Sequence, residues 1–382
     1  MATSTESDRS TITWRLLLRV IIKATILFVV CNIVFAALMP IETLGSISLY
    51  NTLLPGRERL PYGENSAESY NLSLYNIPAM MTSLSLARPK AADEFRVILI
   101  GDSATWGWFL PNTDTLAGRL NAGHYLTADG RRVVAYNLGY PIMSLTKDLL
   151  LLDAALPYQP DLIVWPVTLE SFPRKKQLFS PIVQNNATRM RRLIDAYHLN
   201  LDRNDPRFVD PDFFGRTIVG QRRELADWFR LQFYGFAWAA TGIDQKIPAE
   251  IKLRQSDFDT DVTWQTYQQP TALTKDNLAF DVLEAGVQQA DAVPILIINE
   301  PMFISRGQNS DLRYNSFYPR WAYDQYHELI NQTAHANNWQ YLDLWNSIAP
   351  EEFTDTPVHL TPRGSAQLAG QVSAVILEAA HH

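Results

Sequence analysis

Only one cysteine, Cys31, occurs in a chain of 382 residues, which excludes an intrachain disulfide framework and a cysteine-rich metal site. A basic excess is lacking too: 33 Lys and Arg face 40 Asp and Glu, for a formal net charge of −7. Nucleic acid is therefore not an expected partner, because a phosphate backbone is bound by surplus positive charge. Charged residues make up only 19% of the chain and apolar ones 47%. Disordered chains do not have that balance, and it supplies a sizeable core. Absent as well are His-Glu-x-x-His, Gly-x-Gly-x-x-Gly, Gly-x-x-x-x-Gly-Lys and Gly-x-Ser-x-Gly. Those are the signatures of zinc proteases, dinucleotide loops, phosphate loops and the nucleophile elbow. No metal and no cofactor is expected.

A long hydrophobic run is present at the start. Polar residues 1–13 lead into Trp14–Met39, WRLLLRVIIKATILFVVCNIVFAALM, closed by Pro40. Arg15, Arg19 and Lys23 can snorkel toward headgroups, which leaves about the 20 residues a bilayer-spanning helix needs. A cleaved signal peptide shares the basic start and apolar middle. This stretch is long for one, however, and Phe35-Ala36-Ala37 is a poor cleavage site. The reading is an uncleaved single-pass anchor over 14–39, with the lipid bilayer as a partner. Its basic flank puts 1–13 in the cytoplasm and the remaining chain outside the cell membrane. Residues 40–92, rich in Pro, Gly, Asn and Ser, read as a connector with one short helix near 77–86.

From residue 93 the pattern changes. Short apolar runs at 95–100, 133–137, 162–167, 293–298 and 340–344 read as strands. They alternate with helical segments at 114–121, 144–156, 277–290 and 323–337, and a last helix runs from Pro362 to about Ala380 behind a Thr361 cap. Such alternation predicts an α/β domain over 93–382, a parallel sheet covered on both faces, with ligands at the carboxyl ends of the strands. Residues 170–276 break the alternation and read as an insertion, expected to be largely helical. Its segment 225–243, with six aromatic residues between Trp228 and Trp238, is open to two readings, a core helix or a stretch lying in the membrane interface.

Three strand ends carry chemistry. Gly101-Asp102-Ser103 follows the first strand, where a serine on a tight turn exposes its hydroxyl and its own N–H. Asn137-Leu138-Gly139 ends the second, and a glycine there lets a backbone N–H approach a ligand, as an oxyanion hole requires. Asp355 and His359 lie in the loop before the last helix, where an imidazole held by a carboxylate can serve a serine as base. Asn299 and Glu300 follow the fourth strand and face the same cleft. Glu300 suits substrate hydroxyls or an ammonium group, or pairs with an arginine.

These blocks, in this order, resemble the SGNH/GDSL hydrolase superfamily over roughly residues 93–380, the insertion excluded. The resemblance implies a three-layer α/β/α fold with a five-stranded, flavodoxin-like parallel sheet. It also implies a nucleophile at Ser103, a base at His359 oriented by Asp355, and an oxyanion donor at Gly139. Two departures stand out. The usual Gly-x-Asn-Asp of the third block is replaced by a strand end with Thr168 in the most plausible slot. The acid lies four residues before the histidine rather than three, so the loop has to bulge. By topology the chain resembles anchored, extracytoplasmic members that act as esterases or O-acyltransferases on cell-surface polysaccharide, lipid-linked glycan or small esters. Some of those work beside a multi-spanning acyltransferase. The alternative is a non-catalytic binding or assembly subunit that keeps the fold.

Overall fold

The computed structural model describes residues 13–63 and 68–380. The expected cytoplasmic leader, 1–13, lies outside the described residues except for Thr13. Two compact units are present, Met1–Ile41 with Pro211–Ala226, and Glu42–Asp210 with Asp227–His382.

The first unit contains the helix Trp14–Leu38. At 1.5 Å per residue its 25 residues span about 37 Å. That is long and apolar enough to cross a membrane. Only Asn32 and Ala36 on it are buried. Asn32 is satisfied within the unit, donating to the Phe28 carbonyl at 2.9 Å and accepting from Val219 N–H at 3.2 Å. The helix ends where Met39 turns left-handed, one residue before Pro40.

The second unit is built on five strands, β1 (Glu94–Gly101), β2 (Arg132–Gly139), β3 (Leu162–Val167), β4 (Ile295–Asn299) and β5 (Gln340–Asp343). All pairings are parallel, in the order β2-β1-β3-β4-β5. β1 is buried along its whole length, and its period of two divides the core. Phe95, Val97 and Leu99 pack with Leu116, Leu120, Val372 and Ile376, on the side of the helices Leu116–Ala122 and Pro362–Ala379. Ile98 and Ile100 pack with Leu149, Leu150, Leu283 and Ile330, on the side of Leu145–Ala155, Phe280–Ala290 and Arg320–Ala336. The result is the three-layer α/β/α sandwich. The strand order reverses between β1 and β3, and the crevice above such a switch point is where open parallel sheets bind ligands.

The expected connector, 40–92, contributes to this core: Tyr50, Leu60, Ile77 and Met80 are all buried in it. Arg57 and Arg59 are buried as well, both paired with Asp244. Burial alone would raise the Asp244 carboxyl, but the two guanidiniums outweigh it and hold the group below its ordinary range. In the insertion, the helices Pro181–Gln184 and Ala187–Tyr197 follow each other after two residues, and a long stretch of turns separates them from Arg222–Thr241.

Candidate active site

Ser103 opens the short helix Ser103–Trp106 directly after β1. Asp102 caps that helix, its carboxylate accepting from Ala104 N–H at 2.8 Å. Gly101 admits no side chain, since a Cβ there would stand 2.4 Å from Thr105 Oγ1. As the first helical residue, Ser103 has an N–H with no intrahelical acceptor.

His359 comes from the far end of the chain. Its Nε2 is 2.8 Å from Ser103 Oγ, and its Nδ1 is 2.8 Å from Asp355 Oδ1. A carboxylate at Nδ1 requires the proton on that nitrogen, so Nε2 is left to accept from the serine hydroxyl. The extra residue between acid and base is absorbed in a tight loop closed by an antiparallel bridge, Phe353 to Leu360. Thr354 N–H donates to the His359 carbonyl at 2.8 Å, and His359 N–H donates to Thr356 Oγ1 at 3.2 Å. Burial works to raise the Asp355 carboxyl, but the His359 hydrogen bond and charge outweigh it and hold it below the usual range.

The other expected site residues have different surroundings. Gly139 N–H donates to Asn137 Oδ1 at 2.9 Å. Its need for glycine is steric: a Cβ would lie 2.3 Å from Trp106 N. Asn137 is the brace, its Nδ2 donating to the carbonyls of Thr105 at 2.9 Å and Trp106 at 3.2 Å. Thr168 is fully buried, its hydroxyl 2.9 Å from that of Tyr318, so it is not presented to a ligand. Asn299 is also fully buried. It donates to Asp343 at 3.0 Å and accepts from Tyr323 and Tyr326 at 3.3 and 3.2 Å.

Glu300 is buried and pairs with no arginine among the described residues. It lines, with Thr105, Pro166 and Val358, an internal cavity of about 20 Å³, room for about one water molecule. Glu300 Oε1 and Thr105 Oγ1 have no hydrogen-bond partner among the described residues. Burial, then the negative charges of Asp102 and Asp148, push the Glu300 carboxyl well above its ordinary range.

Three contributors were not picked out from the sequence. Lys147 is fully buried beneath the serine turn, donating to the Gly101 carbonyl at 2.5 Å and pairing with Asp148. Burial outweighs that ammonium and pushes Asp148 up to about 6; Asp102 is raised for the same reason. The sequence signal of Lys147 is a charged pair directly before four leucines. Trp108 stacks on the His359 ring, centroids 5.9 Å apart and planes at 23°. It begins an aromatic wall with Phe109, Trp106, Tyr62 and Tyr140, in which Phe109 holds a left-handed φ of 60°. Such strain in a bulky residue is typical of functional sites. Arg254, from the insertion, clasps the histidine loop through the carbonyls of Phe353 at 2.6 Å and Pro350 at 2.5 Å, and nothing local marks it.

No family model matches the chain, and no curated protein matches it. Solved structures do. One, described as a lipolytic protein of the G-D-S-L family from Desulfitobacterium hafniense DCB-2, is 11% identical over 74% of this chain and 99% of its own, with a TM-score of 0.34. A carbohydrate acetylesterase family member from Sinorhizobium meliloti is 12% identical, over 75% and 99%, with a TM-score of 0.33. An aryl esterase from M. smegmatis is 10% identical, over 74% and 98%, with a TM-score of 0.33. Likenesses this distant carry nothing about activity.

Proposed function

We propose that the chain is a membrane-anchored, extracytoplasmic serine esterase or O-acyltransferase of the SGNH type. The single observation that supports it most is the line Ser103 Oγ, His359 Nε2 and Nδ1, Asp355 Oδ1, with 2.8 Å at each hydrogen bond. In the reaction Ser103 Oγ bonds to the carbonyl carbon of an ester while its proton passes to His359 Nε2. Asp355 stabilises the imidazolium that forms. The bond to the leaving oxygen then breaks, and that oxygen takes the proton from His359. Water or a sugar hydroxyl, deprotonated by the same imidazole, then bonds to the acyl carbon, and the bond to Ser103 Oγ breaks as His359 returns the proton to that oxygen. The Ser103 N–H is the donor available to the tetrahedral oxyanion.

The substrate class in this reading is ester groups on cell-surface polysaccharide or lipid-linked glycan, supported by the membrane-capable helix and the Trp108 ring beside His359, with small esters as model substrates. The three basic residues at the N-terminal end of Trp14–Leu38 favour a cytoplasmic N-terminus and an outer catalytic unit. A transferase of this design needs an acyl donor carried across the bilayer, which a multi-spanning partner would supply. The commitment of Gly139 N–H to Asn137 favours a second reading, a binding subunit without turnover. A fluorophosphonate probe separates them. The enzyme is labelled on Ser103 and loses labelling in Ser103→Ala and His359→Ala. A folded wild-type chain that neither labels nor cleaves an aryl acetate leaves the binding reading.

A further inference from the structure

A helix that is apolar on two opposite faces requires cover on both. Between residues 227 and 241, Leu231 and Trp238 face inward at 1% and 7% exposure. Gly235 lies with them, so close to Tyr50 that a Cβ would stand 2.2 Å from its ring. On the opposite side Phe229, Phe233 and Phe236 recur at i, i+4 and i+7, exposed by 54%, 70% and 38%. Ile47, Leu49 and Leu53 are exposed as well, on a segment that touches this helix. Gln232 Oε1 accepts from Leu49 N–H at 2.9 Å, and Trp228 Nε1 donates to the Ile47 carbonyl at 3.3 Å. The Tyr50 and Phe236 rings meet edge-on at 6.4 Å. Six large apolar side chains are thus exposed on two segments that touch each other, the kind of surface that water-soluble monomers rarely leave open.

Chain connectivity points to the occupant. Ile47 follows Leu38, the end of the membrane-capable helix, by nine residues. A fully extended chain covers at most about 3.6 Å per residue, or about 32 Å in all. The helical turn Ile41–Gly45 shortens that reach further. Arg230 and Lys246, both more than half exposed and paired with Asp227 and Glu68, stand on and shortly after this helix, and charged groups beside exposed aromatic ones suit the headgroup boundary.

We propose that this patch is seated in the interfacial layer of the bilayer that Trp14–Leu38 spans. The inference rests on that helix being inserted. It resolves the two readings of segment 225–243, one face of the helix being core and the other lipid-facing. The test uses the full chain with Cys31→Ser and Phe233→Cys, labelled with an environment-sensitive fluorophore. It is reconstituted into phosphatidylcholine vesicles with and without lipid carrying a shallow nitroxide. Leu53→Cys serves as a second labelling position. The proposal expects flotation with the vesicles, blue-shifted emission, and nitroxide quenching at both positions. Water-like, unquenched emission from protein that floats overturns the proposal and leaves the anchor intact. A blue shift without quenching also overturns it, in favour of a protein occupant or a second copy. Failure to float refutes the inserted helix and the patch together.

Discussion

Replacing Lys147 by Met tests how the serine turn is held. The ammonium is fully buried and serves three groups: the Gly101 carbonyl at 2.5 Å, the paired Asp148, and the buried Asp102 that caps the nucleophile helix. The lost carbonyl bond matters least, since Gly101 O still accepts from Tyr140 N–H at 2.9 Å. The carboxyls decide the outcome. Breaking a buried pair from one side costs about 3–5 kcal/mol, a large share of the roughly 5–15 kcal/mol available to a domain. The sign with pH follows from linkage. Asp148 already has a raised folded pKa of about 6, and losing the ammonium raises it further. A raised folded value favours folding below the unfolded pKa of about 3.9 and loses that contribution as pH rises through the folded one. The deficit of Lys147→Met is therefore small at pH 5 and full at pH 8. Urea unfolding of the full chain in detergent micelles, followed by tryptophan fluorescence at both pH values, measures it. Lys147→Met with Asp148→Leu should regain most of the loss, because an apolar pair of similar volume replaces a buried ion pair at little cost. A single variant within about 0.5 kcal/mol of the parent at pH 8, inside the range of an ordinary surface substitution, refutes the reasoning.

Gly139→Ala places a Cβ against Trp106 backbone, so overpacking should cost about 1–3 kcal/mol and displace Ser103; esterase assay and thermal unfolding check the two effects together. Asp355→Asn should lower kcat by about 10²–10⁴-fold. Because the Asp355 pKa is depressed in the fold, its stability contribution is present above about pH 4 and lost as pH falls through the folded value. The stability gap between parent and Asp355→Asn should therefore close on acidification, as measured by urea midpoints from pH 6 down to pH 3. Trp108→Ala removes the ring stacked on His359. It should lower kcat about 5- to 30-fold with KM little changed, on the scale of a desolvated cation–π contact to the imidazolium; Trp108→Phe should restore most of it, and a thermal shift without a kcat effect would make the stack purely structural.

The sheet was legible because its causes are local. Fully apolar runs such as FRVILI and LIVWPV suit only strands buried on both faces, and alternation with amphipathic helices implies parallel pairing. Helix starts were equally local, as with Thr361 before Pro362. The convergence of Ser103, Asp355 and His359 was legible at one remove, since parallel strands bring all their carboxyl ends to one edge. What remained illegible is partner choice, which is a matter of distance in space. Whether Gly139 N–H is free depends on how Asn137 turns, and that depends on the Thr105 and Trp106 carbonyls it also holds. Thr168 is occupied by Tyr318, 150 positions away, and Asn299 by two tyrosines of a later helix. That segment 225–243 buries one aromatic face and exposes the other was undecidable from composition, because aromatic residues satisfy a core and an interface alike. Periodicity and turn chemistry are written residue by residue in this chain, whereas each polar atom's partner and each charge's surroundings exist only once distant segments have packed.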